Sequence, residues 1–116
     1  MASQKNKAEL LQGTLDMLIL KALSSGPQHG YGVARWIHST TNDKLRIEEG
    51  SLYPALHRME SRGWVASEWG LSESNRRAKY YRLTRTGRAQ FGQRVRAWEQ
   101  LVAAVASVLN AQPAEV

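Results

Sequence analysis

The chain has 116 residues, enough for one domain with a true hydrophobic core. Its formal net charge of +6 suits an anionic partner, and its lack of cysteine excludes a disulfide framework and any thiolate metal site. No run of about 18 apolar residues occurs, so no membrane-spanning helix is expected. The first seven residues are polar and lack a signal-peptide core, which predicts a cytoplasmic protein.

In chain order, residues 1–8 read as a polar arm and residues 9–83 as a folded domain. From Leu10 to Leu23 the chain is apolar on nearly every side. Leu15, Leu18, Ile19 and Ala22 fall on one helical face and Met17 and Leu20 on another, the mark of a helix covered on two sides. Thr14 is the expected N-cap, with Asp16 in the first turn, and Ser24-Ser25-Gly26-Pro27 is the stop. A second helix is predicted from near Gly30 to about Ser39, burying Val33, Ala34 and Ile37. A loop over residues 40–43 follows, then a short strand at Leu45-Arg46-Ile47.

The third helix is expected from Gly50 to Arg62, with Leu52, Ala55, Leu56 and Met59 inward, Pro54 in the first turn and Gly63 at the C-cap. Its outer face collects Ser51, Tyr53, Pro54, His57, Arg58 and Ser61. Trp64 to Trp69 and Ala78 to Leu83 flank a turn rich in Gly, Ser and Asn and predict an antiparallel hairpin. Between positions 76 and 98 stand eight basic side chains (Arg76, Arg77, Lys79, Arg82, Arg85, Arg88, Arg94, Arg96) and no acidic one. A one-sided run of this kind points to a polyanion more than to a merely solvated face.

The segment 84–109 opens at Thr84, a capping residue, and carries Phe91, Val95, Trp98, Val102, Val105 and Leu109 at alternating spacings of four and three. That is a heptad seam, made to pack against another helix. A second copy of the chain is the expected partner, with the two-faced first helix contributing, so a homodimer is predicted. Residues 110–116 read as a tail. The fold class is therefore mainly α (α+β): a winged helix-turn-helix domain with a C-terminal dimerisation helix. A helix with a polar outer face beside a basic hairpin is what a reader of double-stranded DNA needs.

Catalysis is not expected. His29, His38 and His57 lie on separate elements without carboxylates or cysteines at metal-ligand spacing. Gly30-Tyr31-Gly32 follows no predicted strand and lacks the third glycine of a nucleotide loop, and Ser51 has no base or orienter. No cofactor is implied.

Four separated blocks carry a family resemblance: Leu11-Gln12-Gly13-Thr14-Leu15-Asp16-Met17-Leu18-Ile19-Leu20, His29-Gly30-Tyr31-Gly32, Glu49-Gly50-Ser51-Leu52-Tyr53-Pro54-Ala55-Leu56 and Lys79-Tyr80-Tyr81-Arg82-Leu83-Thr84. In this order, over roughly residues 9 to 100, they resemble the PadR family of bacterial transcriptional regulators, in its short form with one long C-terminal helix. The resemblance implies a winged-helix homodimer that represses promoters and is sometimes released by a small aromatic or cationic effector. It also matches Tyr31 to a position associated with DNA-backbone contact.

On this reading His57 and Arg58 meet base edges or deep phosphates, arginine being suited to bidentate pairing with guanine. Arg58 has a plainer alternative, pairing with Asp43 or lying near Glu60. Ser51 at the helix start, Tyr31, Tyr53 and Pro54 complete the recognition surface. Arg76, Arg77 and Lys79 of the wing position the protein more than they specify sequence. Met17, Trp36 and Trp98 are candidates for an effector pocket, and Phe91, Val95, Trp98, Val102 and Val105 for the dimer seam. The rival non-enzymatic reading is a winged-helix module that binds protein instead of DNA.

Overall fold

The computed structural model of the chain describes residues 12–113. Its elements are α1 (Gln12–Leu23), β1 (Gln28–His29), α2 (Gly30–Thr40), α3 (Glu49–Ser61), β2 (Val65–Leu71), β3 (Arg77–Leu83) and α4 (Arg85–Leu109). The arm expected over residues 1–8 lies outside the described residues.

The core forms where the apolar stripes converge. Leu15, Ile19, Leu20 and Leu23 of α1 meet Val33, Ala34 and Ile37 of α2, Leu52, Ala55, Leu56 and Met59 of α3, and Val65, Tyr81 and Leu83 of the sheet. Thr14 lies inside α1 and caps nothing, because the described helix already includes Gln12 and Gly13. Asp16, expected in the first turn, lies beyond the first turn of the described helix and is buried.

The three strands form one antiparallel sheet in the order β1-β3-β2. In the hairpin Val65 pairs with Leu83, Ser67 with Tyr81, Trp69 with Lys79 and Leu71 with Arg77, so these eight side chains share one face. Asn75 closes the turn with φ of 61°, a left-handed conformation that asparagine tolerates. The third strand is not the expected Leu45-Arg46-Ile47. It is Gln28–His29, which pairs with Tyr81 and Tyr80. At 45–47 the backbone donors are taken by side chains instead. The Leu45 amide donates to Thr41 Oγ1 at 3.0 Å and the Ile47 amide to His38 Nε2 at 2.8 Å. With two of its three amides bonded to His38 and to Thr41 at the end of α2, and Ile47 buried, this segment is held without a strand partner.

Helix α3 starts at Glu49, one residue before expectation, which places Pro54 in the second turn. The Gly50 carbonyl there loses its usual amide donor, a cost the helix tolerates on its exposed side. The helix ends where Gly63 adopts φ of 78°, a backbone that glycine takes without a Cβ clash. Helix α4 is capped as expected, with Thr84 Oγ1 accepting the Gly87 amide at 3.0 Å. Its seam divides in two. Phe91 packs against the core, whereas Trp98, Leu101, Val102, Val105, Val108 and Leu109 stand exposed.

Candidate nucleic-acid interface

A concave surface opens between α3, the N-terminus of α2 and the inner face of the hairpin, and its floor is set by local packing. His29 caps α2 by accepting the Gly32 amide on Nδ1 at 3.0 Å. With Nδ1 engaged as the acceptor, Nε2 faces the hairpin turn. That nitrogen lies 3.6 Å from Glu73 in the hairpin turn. The Glu73 carboxyl is held below its ordinary range, first by a backbone hydrogen bond of its own residue and then by His29. The imidazole also lies edge-on to Tyr80, at 5.3 Å between centroids. The turn of the hairpin thus comes close to the start of α2.

Tyr53 is set by a close approach. Its ring lies so near Gly30 that a Cβ at that position would come within 2.6 Å of a ring carbon. Glycine at 30 therefore leaves the tyrosine of the next helix room for this ring position. Burial of one side of the ring, and then the Glu49 carboxylate, push the Tyr53 hydroxyl above its ordinary value, so it stays a neutral donor and acceptor at neutral pH. The sheet contributes Tyr81 at the back of the cleft, and its hydroxyl is likewise pushed up, chiefly by burial and then by Glu60 and Tyr53.

Tyr31, Tyr53, His57, Arg76, Arg77 and Lys79 all line this cleft, about 940 Å³ in volume. Ser51 and Pro54 are exposed on α3 but do not line it. Arg58 is oriented elsewhere. Its Nη2 donates to Asp16 Oδ1 at 2.6 Å, and Asp16 is 1% exposed, so the guanidinium is turned inward to satisfy a buried carboxylate on α1. An unpaired carboxylate there would be costly, and that need outweighs projection toward solvent. The partner is neither Asp43 nor a neighbour of Glu60. Lys79 is also partly committed, lying 3.7 Å from Glu60 Oε1 and over the Tyr81 ring.

Besides His29, Glu73 and Tyr81, two larger side chains that the sequence did not single out for binding join the surface. Arg35 stands over the Tyr31 ring at 5.6 Å, one helical turn later, a spacing that could have drawn it in. Trp69, read only as a hairpin residue, lines the cleft as well. The expected grouping of Met17, Trp36 and Trp98 is split. Met17 and Trp98 share a hollow between α1 and α4 with Arg94 and Leu101, whereas Trp36 borders a separate groove beside Pro27 and Gln28. No helix among the described residues is long and apolar enough to cross a membrane, and no cluster among them could hold a metal ion.

A three-helix core closed by a small antiparallel sheet, with an aromatic and basic cleft between the last core helix and the hairpin, defines a winged-helix DNA-binding protein. Residues 19–93 match the Transcriptional regulator PadR-like family, and the chain belongs to that family. A PadR family transcriptional regulator from Eggerthella lenta is similar in structure, at 35% identity and a TM-score of 0.72, over 87% of this chain and 86% of that one. A transcriptional regulator from Clostridium thermocellum is similar at 31% identity and a TM-score of 0.76, over 83% and 93%. A transcriptional regulator of Mycobacterium tuberculosis shares 41% identity over 56 residues, 48% of this chain and 51% of its own length. The family assigns regulation of transcription rather than catalysis.

Proposed function

We propose that the protein is a homodimeric repressor that binds an inverted-repeat operator, with residues 9–83 as the DNA-binding domain and 84–109 as the dimerisation helix. The observation that carries this reading is the cleft itself, where Tyr31, Tyr53 and His57 of the helices face Arg76 and Arg77 of the wing. Two α3 helices would enter successive major grooves about one helical turn apart. His57 and Tyr53 then meet base edges. Ser51 and Pro54 flank them on the exposed side of α3, Tyr31 and Arg35 meet the backbone, and the wing arginines neutralise phosphates. The exposed outer half of the α4 seam supports dimerisation, because Trp98, Leu101, Val102, Val105 and Leu109 are an apolar stripe without cover in one protomer.

The test is a salt titration on promoter DNA taken from beside the coding region. Affinity should fall by roughly 0.9 log units per log unit of salt for each phosphate neutralised, and specific DNA should be preferred over unrelated duplexes. Flat salt dependence, with no preference, would favour a protein-binding module instead. Sedimentation should report a dimer that Val102→Glu dissociates.

A ligand-responsive version of the same function is favoured by the hollow of about 290 Å³ that Met17, Arg94, Trp98 and Leu101 line. Aromatic ligands that enter it should quench tryptophan fluorescence in the wild type but much less in Trp98→Phe. An unchanged response would remove Trp98 from the site.

A further inference from the structure

Trp69 lies on the inward face of β2, and its position is unusual for so large a side chain. At the base of the hairpin this face is core, with Val65, Tyr81 and Leu83 buried. Two residues farther out it overhangs the cleft, where Trp69 is 57% exposed and Leu71 is exposed beside it. What occupies the indole face is Arg77, whose guanidinium carbon lies 4.5 Å from the ring centroid. Arg77 pairs across the ladder with Leu71 and so reaches Trp69 along the diagonal.

The other cations near this face are held differently. Arg58 is bonded to Asp16 and Lys79 approaches Glu60, whereas neither Arg76 nor Arg77 has an ion pair among the described residues. A carboxylate partner consumes the N–H donors of a guanidinium. Stacking on an aromatic ring covers the guanidinium's flat face and leaves its in-plane donors open. The tryptophan thus limits the freedom of a long side chain without neutralising its charge or occupying its hydrogen-bonding edge. Less ordering then remains to be done when an anion arrives.

We propose that Trp69 is a positioning residue for DNA, holding Arg77 over its ring with N–H donors left open to the phosphate backbone. The assignment rests on the DNA-binding reading above. It is tested by fluorescence anisotropy with a random-sequence 20-base-pair duplex at low salt, using Trp69→Thr, which keeps strand propensity, Trp69→Phe, Arg77→Ala and the double variant Trp69→Thr/Arg77→Ala.

Trp69→Thr should weaken binding about two- to fivefold, the scale of an exposed cation–π contact. Trp69→Phe should retain affinity within about twofold, since a smaller ring still stacks. The double variant should bind no more weakly than Arg77→Ala alone, because without the arginine the ring has nothing to hold. Independent, multiplying losses would overturn the proposal, as would a Trp69→Thr protein that binds like wild type while Arg77→Ala is impaired. Either result would leave DNA binding itself intact. A wild-type protein with no salt-dependent affinity for the duplex would overturn both readings. Thermal unfolding of each variant, together with the phenylalanine rescue, separates loss of positioning from loss of fold.

Discussion

Helix α3 and the wing both carry arginines toward the same cleft in sequence, yet they use them in opposite ways. In α3, Arg58 is drawn inward by Asp16 and helps hold the helix to α1. In the wing, Arg77 rests on Trp69, and neither it nor Arg76 meets a carboxylate among the described residues. Positive charge near a nucleic-acid surface is therefore not one quantity. Part of it belongs to the fold, and part is presented to a partner. Helix α3 presents Tyr53 and His57 to the cleft, while the cations lining it, Arg35, Arg76, Arg77 and Lys79, come from its neighbours.

The sharpest way to break this contrast is Asp16→Ala. The arginine left behind is 26% exposed and can turn to water, so the chain should lose about 1.5–3 kcal/mol of stability in urea unfolding, the scale of a hydrogen bond to a charged group. Replacing both members with apolar residues of similar size should cost far less. If Asp16→Ala were nearly neutral while Arg58→Ala selectively abolished operator binding, Arg58 would belong with Tyr53 and His57 instead.

His57→Ala should cost roughly 1–3 kcal/mol on the operator and little on unrelated duplexes, as measured by competition binding. Arg76→Ala should instead weaken all duplexes alike and lower the salt slope by roughly one unit, with stability unchanged within about 0.5 kcal/mol. A change of sequence preference in the wing variant would reverse the division of labour between the two regions.

The smallest effect is at alkaline pH. Burial and Glu49 make the folded chain hold the Tyr53 proton more tightly than the unfolded chain does, whose ordinary value is 10.0. The resulting stability is full below that value and is lost as pH rises through the raised one. In Tyr53→Phe the alkaline decline should be shallower but still present, since the Tyr81 hydroxyl is raised in the same direction. An identical decline in both proteins would remove Tyr53 from it.

The elements with strong periodicity were legible before the structure. The inward stripe of α3, the hairpin and the Thr84 cap depend on neighbours a few residues apart, and local chemistry sufficed. The Arg58–Asp16 pair joins residues 42 positions apart. No local pattern distinguishes that arginine from a solvated one. Strand β1 is only two residues long and exists because β3 offers it an edge, so its signal lies in its partner. Leu45-Arg46-Ile47 looked like a strand because it alternates, but His38 and Thr41 took its amides. Trp69 was visible as an aromatic strand former. Its overhang of the cleft became evident only with the register of the hairpin.

The contact between Gly30 and Tyr53 has a consequence for how such a protein changes its specificity. Any side chain at position 30 would displace the Tyr53 ring, whereas a smaller residue at 53 would open a space that position 30 could then fill. The two sites are coupled, because bulk at 30 is admitted by turning or shrinking the side chain at 53, which is 40% exposed. A lineage or a designed library that diversifies α3 alone inherits the glycine as a silent record of the tyrosine. New bulk at the start of α2 would re-aim the side chain at 53, and with it the face that α3 turns to the cleft.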